Sequence, residues 1–173
     1  MFDWNVLLVR ALVNGAWLSG ILTVIMIISG VVALDMWVGD YPPDVREKYG
    51  PMSAKARRVR PLFAVLVFGA VLVIPILGLA ALGAELGAVS FIPALVFGAI
   101  AVFVFNLYDL LILDWLLFCT IQPKPMVLPG TEGMAGYRDY RFHFIGFLKG
   151  LGFCAVGGLL ISGIWLLVQA VLA

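Results

Sequence analysis

Asn106, Asp109 and Asp114 sit in Asn-Leu-Tyr-Asp-Leu-Leu-Ile-Leu-Asp-Trp, a stretch that is otherwise apolar enough for hydrocarbon. An ionised Asp at the centre of a membrane span costs at least about 2.5 kcal/mol, so it wants a partner, a cation or water. Asp35 closes an earlier apolar run, and His143, the single histidine, opens a later one. Glu132 lies in the turn sequence Pro-Gly-Thr-Glu-Gly, which reads first as an ordinary connection; the alternative is a structured loop that covers the bundle mouth with Glu132 over Asp109 and Asp114. Together these are candidate proton- or ion-binding groups. Oxygen and imidazole donors of this kind suit a hard or borderline divalent cation such as Mg, Mn or Zn, although the spacing specifies no metal.

Helical geometry limits what these groups can do together. In an α-helix Asn106 and Asp109 share a face. Asp109 and Asp114 are five apart and diverge by about 140° at roughly 100° per residue. They are therefore expected to meet different neighbours, and Asp35, His143 or the loop before His143 would have to complete any site. The competing expectation is structural: Asp35 and Asp114 pair with Arg60, Arg138 or Arg141 and lock the loops. A lone histidine excludes bis-histidine haem within one chain. Cys119 and Cys154 lack a Cys-x-x-Cys arrangement, which disfavours quinone-linked disulfide chemistry. No nucleophile–base pair is recognisable, so no catalytic residue is assigned.

A second cluster, Lys55, Arg57, Arg58 and Arg60, lies directly beside an apolar run. Cations so placed attract anionic head groups at about 1 kcal/mol each, and they are candidate contacts for lipid or for a protein partner.

The elements that must carry these residues follow from composition. The chain has 173 residues, 64% of them hydrophobic and 12% charged. Soluble domains are nearer 45–50% apolar and about 25% charged. The apolar excess must therefore face lipid, which excludes a soluble enzyme and a nucleic-acid binder. Residues 11–34 and 61–84 carry no charge, residues 86–108 extend past Asp109 to about 119, and residues 144–173 are interrupted only by Lys149. Each run exceeds or approaches the length needed to cross about 30 Å of hydrocarbon. The expected fold is an all-α integral membrane protein, a single domain built as an antiparallel up-down bundle of four transmembrane helices. The spans are about 11–36, 61–84, 88–119 and 144–172, with loops at 39–60 and 121–143. The amino-terminal run reads as a retained span and not as a signal peptide. Pro75 is expected to kink the second helix. The pairs Gly146/Gly150 and Gly15/Ser19 have the spacing of close helix packing.

Both loops are basic: Arg46, Lys48, Lys55, Arg57, Arg58 and Arg60 lie in the first, and Lys124, Arg138 and Arg141 in the second, against Arg10 near the amino terminus. The loops are therefore expected in the cytoplasm and both termini outside. The expected location is the plasma (inner) membrane of a prokaryote. So small a bundle would suit a homo-oligomer or a subunit of a larger membrane complex. Three functions are compatible with these residues. The first is ion, proton or small-solute transport through the intramembrane carboxylates. The second is a non-catalytic subunit or scaffold that binds a partner or anionic lipid through the basic loop. The third is a membrane enzyme acting on lipid head groups.

Overall fold

Asp3 starts the first helix. Its carboxylate accepts from the backbone N–H groups of Asn5 at 2.9 Å and Val6 at 3.2 Å, satisfying two of the donors that a helix start leaves free. In the computed structural model, which describes residues 2–172, helix α1 accordingly covers Trp4–Ala33 and begins ahead of the charge-free run. Arg10 is tolerated on it because Glu85, at the far end of the second long helix, receives its guanidinium at 2.7 Å. A 3₁₀ segment, Leu34–Asp40, and a short helix α2, Pro43–Tyr49, lead to α3, Ala54–Leu86. Helix α4, Phe91–Tyr108, continues as a π-helix over Asp109–Ile121. Helix α5 covers Tyr140–Leu172. Its start also precedes the expected one, because Asp139 Oδ1 accepts from Phe142 N at 2.9 Å. Among the described residues there are no strands, and four helical stretches are long and apolar enough to cross a membrane: Trp4–Asp40, Ala54–Leu86, Phe91–Ile121 and Tyr140–Val171.

Contacts between side chains define the topology. Arg10 meets Glu85, and Asn14 Nδ2 donates to the Ile74 carbonyl at 3.1 Å, so α1 and α3 are antiparallel. Thr23 meets the Tyr108 hydroxyl at 3.3 Å, so α1 runs parallel to α4. Asn106 Nδ2 donates to the Phe147 carbonyl at 3.1 Å, and Trp115 Nε1 to the Tyr140 carbonyl at 3.2 Å, making α4 and α5 antiparallel. The result is an up-down-up-down bundle with α4 packed most extensively on α5 and α1. Helix α3 runs continuously through Pro61 and Pro75. At Gly15 a Cβ would lie 2.6 Å from Val104 Cβ and 2.9 Å from the Ala101 carbonyl. Only a residue without a side chain lets α1 approach α4 so closely.

The two ends of the bundle differ. At the end holding the termini, Leu7, Ala11, Leu79, Leu82, Phe97 and Ile161 are fully buried together. The α3–α4 turn is fastened there to α5, with Trp165 Nε1 at 3.1 Å and Gln169 Nε2 at 2.9 Å from the Val89 carbonyl. At the loop end the two long connections fold onto each other as a cap. Val38, Tyr41, Val45, Phe118, Leu128 and Tyr137 form its core. Asp44 accepts from Gly136 N at 3.0 Å, and the Tyr41 hydroxyl donates to the Met126 carbonyl at 3.0 Å.

Candidate functional site

The π-helix sets the geometry of the site. Its last backbone bond runs from Gln122 N to the Leu117 carbonyl at 2.8 Å, and Thr120 Oγ1 reaches the Trp115 carbonyl at 2.7 Å. Both are five-residue spacings. Gln122, at φ 51°, ends the helix in the left-handed region. A helix closed by i→i+5 bonds turns less per residue than an α-helix, which narrows the angle between residues five apart. Asp109 and Asp114 therefore diverge less than α geometry requires. Both line one open cavity of about 410 Å³ bordered by the π-helix, the first turns of α5, the 3₁₀ segment after α1, Met26 of α1 and Asn106 of α4.

Four of the expected residues meet at this cavity: Asn106, Asp109, Asp114 and His143. Asn106 is fixed by its bond to the Phe147 carbonyl and by Gly150, where any side chain would collide with the Asn106 amide. His143 is 6% exposed, and its Nδ1 lies 3.0 Å from Asp114 Oδ1. Nε2 is buried and has no partner. The imidazole is held between Phe118, with ring centroids 4.9 Å apart, and Phe142 at 5.3 Å.

Two further residues line the same cavity, Asp40 from the 3₁₀ segment and Lys149 from α5. Asp40 lies just beyond the first apolar run, and Lys149 was visible only as an interruption of the fourth. Their convergence depends on how the cap folds and on the α5 register, which no local sequence pattern carries. Among the described residues, no carboxylate lies within ion-pair distance of Lys149.

Two expected members lie elsewhere. Asp35 is buried against Ser53, accepting from its backbone N–H at 2.6 Å and its hydroxyl at 3.2 Å. It joins the 3₁₀ segment to the start of α3 and contacts neither the cavity nor an arginine. Glu132 turns onto its own loop, accepting from Gly130 N at 3.1 Å, and faces a separate surface cleft with Gln122 and Lys124. The expected pairing of Asp114 with an arginine is replaced by its contact with His143. Among the described residues, no three His, Cys, Asp or Glu side chains converge on one metal position. Lys55, Arg57, Arg58 and Arg60 are exposed on the first turns of α3, and none is in an ion pair among the described residues. Cys119 and Cys154 are buried free thiols.

No family model, curated protein or solved structure matches this chain.

Proposed function

We propose that the chain is an integral membrane protein of the plasma membrane, with both termini outside and the cap in the cytoplasm, and that it binds and moves a proton or small cation through the cavity at its cytoplasmic end. One observation carries the reading: Asp40, Asp109 and Asp114 line a single cavity within an otherwise apolar bundle. Carboxylates at this depth are costly unless they meet water or a cation. Large apolar side chains such as Trp17, Val31, Phe68 and Phe153 point outward and are exposed, which suits a lipid surround. The packed layer of Leu7, Leu79, Phe97 and Ile161 closes the outer half. The cavity in this reading is a vestibule reached from the cytoplasm, and passage requires the outer layer to part.

The test is flux into vesicles reconstituted with purified protein, read by a pH-sensitive or cation-sensitive dye. Wild type should exceed empty vesicles, and both Asp109→Asn and Asp114→Asn should reduce the flux. Equal flux from wild type and both variants overturns the reading. Labelling of single cysteines placed at residues 52–60 from outside intact cells would overturn the orientation.

A second reading draws on the exposed cations of α3. Lys55, Arg57, Arg58 and Arg60 are free to contact anionic head groups or a partner protein, as a non-catalytic subunit would. Retention of a complex or of anionic lipid that is lost on charge reversal of all four residues, in a protein without flux, would favour it.

A further inference from the structure

We infer that α3 holds one anionic phospholipid at the loop end of the bundle, its phosphate between Lys55 and Arg58 and an acyl chain lying along Leu62, Val65 and Gly69. The inference rests on the second reading above and narrows it from a diffuse basic patch to one site on one helical face.

Helix register separates the cations of this patch. Ala56 and Phe63 are buried with Ala33 of α1 and Met36 of the 3₁₀ segment, which fixes the inner face of α3 at this level. At roughly 100° per residue, Arg58 stands about 160° from Ala56, nearly opposite that face, and Lys55 lies about 60° from Arg58. Arg60 is only about 40° from Ala56. It flanks the inner face, where its charge acts on the Asp40 carboxylate. All three are exposed, and none is in an ion pair among the described residues. Lys55 and Arg58 therefore share the outward face, and Arg60 does not.

The same face continues into the apolar part of α3. Leu62, Val65 and Gly69 follow Arg58 by four, seven and eleven residues, so each lies within about 40° of it. Leu62 and Val65 are more than half exposed, and a Cβ on Gly69 would meet nothing within 4 Å. Gly69 is thus a notch in an outward apolar strip. It lies roughly 16 Å along the helix from Arg58 at about 1.5 Å per residue, close to half of the roughly 30 Å hydrocarbon thickness. One face therefore presents cations at head-group depth and, beneath them, an apolar strip as long as an acyl chain. A free phosphate or an acidic protein segment would meet only the cations. A zwitterionic lipid would bring its own ammonium against them. An anionic phospholipid satisfies both parts, its charge drawn to the cations and its chain packed by dispersion.

The experiment is native mass spectrometry of the full chain released from detergent after titration with dioleoylphosphatidylglycerol or dioleoylphosphatidylcholine. Glycerol phosphate serves as the probe without acyl chains. One phosphatidylglycerol per chain should be retained, about tenfold or more tighter than phosphatidylcholine. Lys55→Gln and Arg58→Gln should each weaken it about fivefold, the factor that one cation beside a head group is worth, and Arg60→Gln by less than about twofold. Gly69→Leu, which collides with nothing in the fold, should weaken it about twofold or more by pushing the chain off the helix. Equal losses in Lys55→Gln, Arg58→Gln and Arg60→Gln overturn the inference and leave the diffuse contact of the second reading standing. A wild type that holds both lipids alike overturns anionic-lipid contact in both. Glycerol phosphate bound as tightly as phosphatidylglycerol, unchanged binding in Gly69→Leu, or a second copy or other protein held in place of lipid each overturns the inference alone.

Discussion

The Nδ1 atom of His143 lies 3.0 Å from Oδ1 of Asp114, joining the first turn of α5 to the π-helix at the cavity wall. Asp114→Ala removes the polar group beside a buried imidazole and should cost about 1–3 kcal/mol. Asp114→Asn keeps the side-chain volume and a polar partner beside the ring and should lose less. Thermal melting in detergent compares the two. Equal losses would mean that the contact between the two side chains adds nothing to stability.

Asp35 predicts a different phenotype, because it holds backbone and not ligand. Its two bonds to Ser53 sit at the cap of α3, where Ser53 Oγ also accepts from Ala56 N at 3.2 Å. Asp35→Ala should cost about 2–3 kcal/mol and expose the segment before α3 to proteolysis. Cation binding or flux per folded molecule should stay at the wild-type level. A variant that folds fully yet loses binding would return Asp35 to the site.

Two glycines on α1 give a paired test of packing. Gly15→Ala drives a methyl group against Val104 and the fixed Ala101 carbonyl, and overpacking of this kind costs about 1–3 kcal/mol. Gly20 has nothing within 4 Å of its would-be Cβ, so Gly20→Ala should be neutral or gain up to about 1 kcal/mol from helix propensity. Melting temperatures that move together in the two variants would contradict the α1–α4 contact.

The cap should loosen in alkali. Burial pushes the Tyr41 phenol above its ordinary value, and the neighbouring Tyr137, Asp40 and Tyr49 add to the rise. A phenol whose folded pKa exceeds the unfolded value of about 10 contributes fully below that pH and loses its contribution as pH climbs toward the folded value. Its hydroxyl must also stay protonated to donate to Met126. Wild-type stability should therefore fall above about pH 10. Tyr41→Phe should start about 1 kcal/mol lower and show a shallower decline, followed by tyrosinate absorbance together with melting.

The long helices were legible because lipid-length apolar runs leave few alternatives, and their ends were not. Asp3 and Asp139 are single capping side chains, and each carries its helix beyond the apolar run through polar residues such as Arg10 and Arg141. The candidate site was legible in its titratable members on the π-helix and α5, Asp109, Asp114 and His143, whose cost in an apolar segment marks them. Its geometry was not. A five-residue hydrogen-bonding period leaves no compositional trace in Asp-Leu-Leu-Ile-Leu-Asp, so α geometry did not show that one cavity has both carboxylates on its wall. Asp35 and Glu132 were misplaced for a related reason. A carboxylate near a loop has backbone N–H groups within reach, and Ser53 and Gly130 took the bonds that a distant ligand would have needed.

Because the chain contains one histidine, and that imidazole lies between two phenyl rings on the cavity wall, the molecule carries its own magnetic reporter. Ring currents from Phe118 and Phe142 should set the imidazole resonance apart from bulk. With no second histidine to overlap it, selective isotope labelling of histidine yields a spectrum needing no assignment. Ligand arrival, tautomer exchange and any rotation of α5 against the π-helix would each be read from that one signal.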